Sequence, residues 1–298
     1  MLTSGVLDKS DCLKCLKIGN VYHQIVRSSI MSTIEKYDKL LDRLKSLEKV
    51  AVAFSGGVDS ALLLKAGYDA LGDNVIAITA NSAVFPEGEN NEAKEFCKAY
   101  GIRQLTIDYD VMSVPNFCNN PIDRCYHCKK NLMSIMRNVA LENGIQTVAE
   151  GSNIDDTKDY RPGFKAVEEL GIISPLKEVG LTKEEIRNLS REMNLPTWDK
   201  PSYACLATRI PFGDNITIDK LSKIEEAEDF LHEMGFLQAR ARVHDNLCRI
   251  EIETEKFERI IEEDVRCRIV SRLKEIGFEF VSLDLQGYVM GSFKADMN

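Results

Sequence analysis

No stretch of this 298-residue chain runs to the roughly 18 consecutive apolar residues that a membrane-spanning helix needs. The opening residues, MLTSGVLDKSDCLKCLK, also lack the apolar core of a signal peptide. Excess basic charge is missing too: 38 Lys and Arg against 47 Asp and Glu leave a formal charge of −9. That balance argues against a surface built to grip nucleic acid, although a local basic stripe is compatible with it. There is no internal repeat and no low-complexity stretch, which excludes solenoids and disordered linkers. What remains is a cytoplasmic globular chain whose 44% hydrophobic residues suffice for a core. At roughly 150 residues per domain the length allows one large domain or two ordinary ones.

Residues 1–30 show no clear periodicity and read as an N-terminal extension, with Met31 as an alternative start. Ser32, Thr33 and Glu35 then open a helix whose apolar set is Ile34, Tyr37, Leu40, Leu41, Leu44 and Leu47. From Lys49 the pattern becomes short β-rich runs alternating with helices. KVAVAF, NVIAITA, RQLTIDYD and TVAEG read as strands; ALLLKAGYDALG, Asn90–Tyr100 and Lys130–Glu142 read as helices. Such alternation predicts an α/β fold with a parallel sheet and right-handed crossovers. Past residue 200 the grammar shifts to a helix over Lys220–Met234, a hairpin QARARV–HDN–LCRIEI, a helix over Glu258–Ile276 and a strand FEFVSLDL. The expected division is an extension (1–30), a nucleotide-binding domain (31–200) and a smaller C-terminal α/β domain (201–298) for substrate, sulfur transfer and oligomerisation.

The sharpest motif is Ser55-Gly56-Gly57-Val58-Asp59-Ser60, between the first strand and the first helix of the alternating series. A loop that opens a helix presents unpaired N–H groups and a positive dipole end to phosphate. Two glycines let the backbone approach the oxygens without a Cβ, and Ser55 and Ser60 add hydroxyl donors. Asp59, beside so much phosphate, points to Mg²⁺. The bland alternative is a tight packing turn. The hexamer differs from the Walker motif, which needs Gly-Lys-Ser/Thr after a longer loop. It resembles the PP-loop of ATP pyrophosphatases, enzymes that cleave ATP between the α- and β-phosphates and transfer AMP to a carboxylate or carbonyl oxygen before a nucleophile displaces it.

Three further runs narrow the resemblance: Glu150–Asp156 followed by Asp159–Gly163, Ser174–Lys183, and Lys200–Gly213 with its Ala204-Cys205-Leu206-Ala207-Thr208-Arg209-Ile210-Pro211 core. Taken in order, they are similar to the LarE family of sulfur insertases, over residue 34 to the end. The resemblance implies an ATP-dependent sulfurtransferase that adenylates carboxylates of pyridinium-3,5-biscarboxylic acid mononucleotide and converts them to thiocarboxylates. It also implies that Gly151, Asn153 and Arg161 join the PP-loop residues at the nucleotide, that Arg209 touches nucleotide or substrate, and that the protein is a homo-oligomer.

Nine cysteines without an export signal argue against a disulfide framework. Cys205 holds the position that single-cysteine LarE proteins sacrifice as their sulfur source. This chain also carries Cys125 and Cys128 at C-x2-C spacing. With Cys205 they make a three-cysteine set for a 4Fe–4S cluster, whose fourth iron would stay open for sulfide. The alternatives for the pair are half a zinc site or two packed thiols. Cys12 and Cys15, with His23, form a weaker pair, Cys118 is a spare ligand candidate, and Cys97, Cys248 and Cys267 fall in apolar patterns expected to be core. In the hairpin, Arg240 and Arg242 share a face, as do Arg249 and Glu251, which suggests an anion clamp or a solvated ion-paired face. Glu228 matches a family acidic residue by position alone. The rival functions are a tRNA-thiolating PP-loop enzyme and a nucleotide-binding sensor with structural zinc.

Overall fold

The structure, a computed structural model, describes residues 32–158, 162–201 and 204–289. The extension over residues 1–30 with Cys12, Cys15 and His23, together with Met31 and Arg161, lies outside the described residues.

Helix α1 spans 32–45, and its periodic face delivers Leu40 and Leu44 to the interior, while Ile34 is exposed. The alternating segment then gives β1 (Val50–Ala53), α2 (Val58–Leu71), β2 (Val75–Asn81), α3 (Glu87–Tyr100), β3 (Gln104–Asp108), α4 (Arg124–Glu142) and β4 (Val148–Ala149). The strands form a parallel sheet in the order β3-β2-β1-β4, with Val50 opposite Val75 and Ala51 opposite Val148. β1 is wholly apolar and β2 is buried from Val75 to Ala80, with Thr79 its one polar residue there, because both faces of a parallel sheet are covered. On one face Leu40, Leu44, Val50, Val52, Leu63, Ala77, Phe96, Ile186 and Leu189 pack together. Short helices follow: α5 (Gly163–Glu169), α6 (Pro175–Glu178) and α7 (Lys183–Glu192).

The C-terminal part contains α8 (Ile218–Glu233), β5 (Arg240–His244), β6 (Leu247–Glu251), α9 (Phe257–Ile261), α10 (Glu263–Ile276) and β7 (Phe280–Leu283). β5 and β6 form the expected antiparallel hairpin, and β7 joins β6 in parallel. The single helix expected over Glu258–Ile276 is two, because Glu262 is extended (φ −52°, ψ 138°) and Glu263 and Asp264 start α10. A hydrophobic cluster runs from Ala51, Ile76 and Ile78 through Met133, Leu206 and Ile210 to Ala241, Ile250 and Leu273, so apolar packing is continuous across residue 200. Among the described residues no helix is long and apolar enough to cross a membrane.

Candidate active site at the sheet switch point

The chain moves from β1 to β2 to β3 in one direction and then returns to place β4 on the other side of β1. In doubly wound sheets, ligands settle beyond the carboxyl ends of the strands where the order reverses. Here that crevice lies between the loop after β1, Ser55–Ser60, and the segment after β4, Glu150–Asn153. Gly56 has φ +74°, and a Cβ there would press on the Glu89 carbonyl at 3.3 Å. Gly57 caps α2 with no side-chain acceptor, so the first-turn amides are left without a side-chain cap. The Ser60 hydroxyl donates to the Gly57 carbonyl at 3.0 Å and lies 3.2 Å from the Ser55 hydroxyl. Val58 is buried in the core and anchors the turn. Gly151 meets this turn directly: a Cβ would stand 2.9 Å from the Ser60 backbone nitrogen, so only glycine allows the two chains to touch.

Asp59 accepts from Asn153 Nδ2 at 3.1 Å and pairs with Lys183. The Lys200 ammonium donates to the Gly56 carbonyl at 3.2 Å and pairs with Glu92. Glu150, buried at the end of β4, pairs with Lys129 at 3.0 Å and accepts from the Ser174 hydroxyl and the Ser152 amide. Burial pushes its carboxyl up, but Lys129 and those two donors outweigh burial and hold it below the ordinary carboxylate range. The crevice thus combines open backbone donors, one carboxylate for a divalent ion (Asp59) and lysines for phosphate charge. The lysines and Glu150 were overlooked as site residues in the sequence, although Lys183 and Lys200 fall inside the quoted motifs. Ser82 at the carboxyl end of β2 was overlooked as well; its buried hydroxyl has no hydrogen-bond partner among the described residues.

Helix α4 begins with Arg124, six residues earlier than its periodicity suggested, which sets Cys125 in its first turn and Cys128 at the start of its second. Arg124 is buried and donates to Asn120 Oδ1 and, at 3.0 Å, to the Ala207 carbonyl. Asn120 Nδ2 in turn donates to the Ile210 and Pro211 carbonyls at 3.1 and 2.6 Å. These bonds draw the Cys205 loop against the start of α4. Burial pushes Cys128 up to about 12, with the Cys205 and Cys125 charges adding. Burial likewise raises Cys205, the Arg124 guanidinium pulls it back, and Cys125 raises it. Cys125 is exposed, and Cys128 and Cys205 are half-buried.

Among the described residues no three Cys, His, Asp or Glu side chains are close enough to hold a single metal ion. A single ion draws all its ligands onto one centre, whereas a cluster binds each thiolate to a different iron. Cys125, Cys128 and Cys205 offer three free thiols, the donor type that iron–sulfur clusters take. His127 is turned to Asp123, 3.1 Å away. The Cys118 thiol points at the Met112 carbonyl at 3.6 Å. Cys97 and Cys248 are buried as expected, but Cys267 is exposed on α10, whose buried positions are Ile269 and Leu273.

Beneath the Cys205 loop lies a layer of buried charge. Arg209, with 0% exposure, makes a bidentate pair with Glu228 at 2.9 and 2.7 Å and donates to the Ala204 and Cys205 carbonyls. Glu228 also accepts from the Ala241 amide at 2.9 Å, so both its oxygens are engaged. Arg242 pairs bidentately with Glu251 and donates to the Thr208 carbonyl at 2.7 Å. Arg240 is buried with its guanidinium 5.0 Å from the Tyr288 ring centre, and burial, then Arg209, lowers its pKa. Alternation did put Arg240 and Arg242 on one face, opposite Glu251 and Arg249, and that face is covered rather than solvated. Its charges shape the loop carrying Cys205.

Comparison with known proteins matches the NAD synthase family model to residues 30–142. An uncharacterized protein of Synechocystis sp. is 39% identical over 86% of this chain and 96% of its own length. The pyridinium-3,5-bisthiocarboxylic acid mononucleotide synthase of Lactiplantibacillus plantarum is 36% identical over 85% of this chain and 91% of its own length. An uncharacterized protein of Methanocaldococcus jannaschii is 32% identical over 87% and 99%. With the PP-loop crevice in place and likeness of this extent, the chain belongs to the LarE family of PP-loop, ATP-dependent sulfurtransferases.

Proposed function

We propose that this protein adenylates a carboxylate of pyridinium-3,5-biscarboxylic acid mononucleotide and replaces the AMP by sulfur delivered at Cys125, Cys128 and Cys205. The observation that supports the reading is the set of hydrogen bonds from Arg124 and Asn120 that holds the Cys205 loop against the start of α4, where Cys125 and Cys128 lie. Lys129, next to Cys128, pairs with Glu150 at the edge of the crevice suited to ATP.

The amides and hydroxyls of Ser55–Ser60 bind phosphate oxygens, and Asp59 is the carboxylate that would hold Mg²⁺ there. Asn153 and Lys183 fix the Asp59 side chain. Lys183 and Lys200 offset charge on the departing pyrophosphate. The substrate carboxylate attacks the α-phosphorus and pyrophosphate leaves, turning a poor leaving oxide into AMP. Sulfide then attacks the acyl carbon, the C–O bond to AMP breaks, and a thiocarboxylate remains. A 4Fe–4S cluster held by Cys125, Cys128 and Cys205 would supply an iron free of protein ligand, able to take up and release sulfide between turnovers. Arg209 and Arg242 hold the carbonyls of the loop on which Cys205 sits, so the sulfur site and the adenylate keep a fixed separation.

Two assays on anaerobically reconstituted protein test the reading. Cys125→Ala should lose multiple turnover with sulfide while still releasing pyrophosphate from ATP and substrate. The peptide bearing Cys205 should keep its full mass after many turnovers. Turnover undiminished in Cys125→Ala would mean that Cys125 is not a ligand, whereas conversion of Cys205 to dehydroalanine with one product per chain would mean that the protein surrenders its own sulfur.

A further inference from the structure

Helix α7 bears on the PP-loop by two routes. Its first residue, Lys183, pairs with Asp59. One turn later on the same face, the Arg187 guanidinium donates to the Trp198 carbonyl at 2.8 Å and to the Lys200 carbonyl at 2.7 Å. Both acceptors are neutral main-chain oxygens, and a planar fork suits such a pair where a single ammonium does not. The Lys200 amide donates to the Thr197 carbonyl at 3.2 Å, so the main chain at Lys200 is held through its N–H as well as its C=O. From there the Lys200 side chain, only 11% exposed, reaches the Gly56 carbonyl at 3.2 Å. In a trans peptide the C=O and N–H point in opposite directions. A cation on the Gly56 oxygen therefore sets the direction of the Gly57 N–H, which donates to the Ser55 hydroxyl at 3.4 Å. Ile186 and Leu189, packed in the core, keep α7 itself in place.

We infer that Arg187 is a positioning residue for ATP: by fixing the main chain at Lys200 it sets the reach of that ammonium to the Gly56–Gly57 peptide of the PP-loop. The inference rests on the reading of Lys200 as a partner of the ATP phosphates and adds to it what holds Lys200 in place. Without the fork, a flexible lysine stem hangs on a looser segment, and ordering it against the nucleotide costs more entropy.

The test is a double-mutant cycle read by calorimetric titration of the full chain with α,β-methylene-ATP and Mg²⁺, which needs neither sulfide nor turnover. Lys200→Met should weaken binding about tenfold, as loss of one charge-assisted contact does. Arg187→Met should weaken it in the same direction, and Arg187→Lys by less, since one carbonyl keeps its donor. In the Lys200→Met background Arg187→Met should have no further effect, because the side chain that it positions is gone. An unchanged Kd in Arg187→Met, or effects that multiply in the double variant, would overturn the role of Arg187 alone. If Arg187→Met does not fold, Arg187→Lys decides on the same cycle: a weakened Kd that depends on Lys200 supports the role, and an unchanged or multiplying one overturns it. A Kd unmoved by Lys200→Met would defeat the reading of Lys200 and this inference together.

Discussion

Glu150 shows how a single side chain can serve both stability and site. It directly follows β4 at the switch point, and Lys129, the residue after Cys128, reaches across to it. That ion pair therefore ties the thiol-bearing helix to the strand that abuts the PP-loop. Because the folded-state pKa of Glu150 is held low, the folded protein favours its ionised form more than the unfolded chain does. The stability this confers is complete above the unfolded value of about 4.3 and is lost as pH falls through the lowered folded value. Lys129→Met removes the largest of the lowering influences and leaves burial to penalise the charge. The variant should be less stable by on the order of 1–3 kcal/mol at pH 7, since the Ser152 and Ser174 bonds survive. The gap should narrow as pH falls, because the variant protonates Glu150 first, and should close only below the lowered wild-type value, where both folded proteins carry it neutral. Urea unfolding of both proteins across that range measures it. A gap that stays constant with pH would show that Lys129 acts through packing alone.

At the scale of elements, helix termini do much of the positioning. Helix α7 starts at a capping box: the Thr182 hydroxyl accepts from the Glu185 amide and Glu185 accepts from the Thr182 amide. The cap aims Lys183, the first residue of the helix, at Asp59. Thr182→Ala should cost about 1 kcal/mol of stability, read as a lower melting temperature. It should also raise the KM for ATP more than it lowers kcat, because the frayed turn releases Lys183 from the nucleotide crevice. An unchanged KM in a destabilised variant would separate the cap from the site. The same elements indicate what could be read from sequence. The strands, the PP-loop and its capless helix were legible because continuous apolar runs and a Gly-Gly turn are local signals. The start of α4 was not, since its inward ridge of buried Arg124, half-buried Cys128 and buried Leu132 and Met136 opens with an arginine that looks like solvent. Nor were the partners of Lys129 and Lys183, which lie 21 and 124 residues away in the chain. The break at Glu262 was hidden because an extended residue inside an otherwise helical pattern leaves no mark on periodicity.

At the scale of the whole molecule, the central question is whether the two sheets stand or fall together. The parallel sheet sends alternate residues of β1 to opposite faces, with Val50 and Val52 in one hydrophobic cluster and Ala51 in the other. Ala51's cluster continues through the Cys205 loop into β5, β6 and α10. Hydrogen bonds cross the same junction, from the Leu206 amide to Val84 and from the Ile216 amide to Cys118. Loss of the C-terminal part would strip one face of the sheet, and a strand of the parallel sheet cannot keep one face dry while the other is wet. We therefore expect a single cooperative transition, despite the change of sequence pattern near residue 200. Two buried thiols report on it independently: Cys97 in α3, at 2% exposure, belongs to the cluster on the far face, and Cys248 in β6, at 0%, to the continuous one. In a urea series with pulsed alkylation and peptide mass spectrometry, both should become reactive at the same midpoint. Reactivity of Cys248 at clearly lower urea than Cys97 would mean that the C-terminal sheet opens by itself. The Cys205 loop would then be held to the ATP crevice by an interface that can release, and not by one shared core.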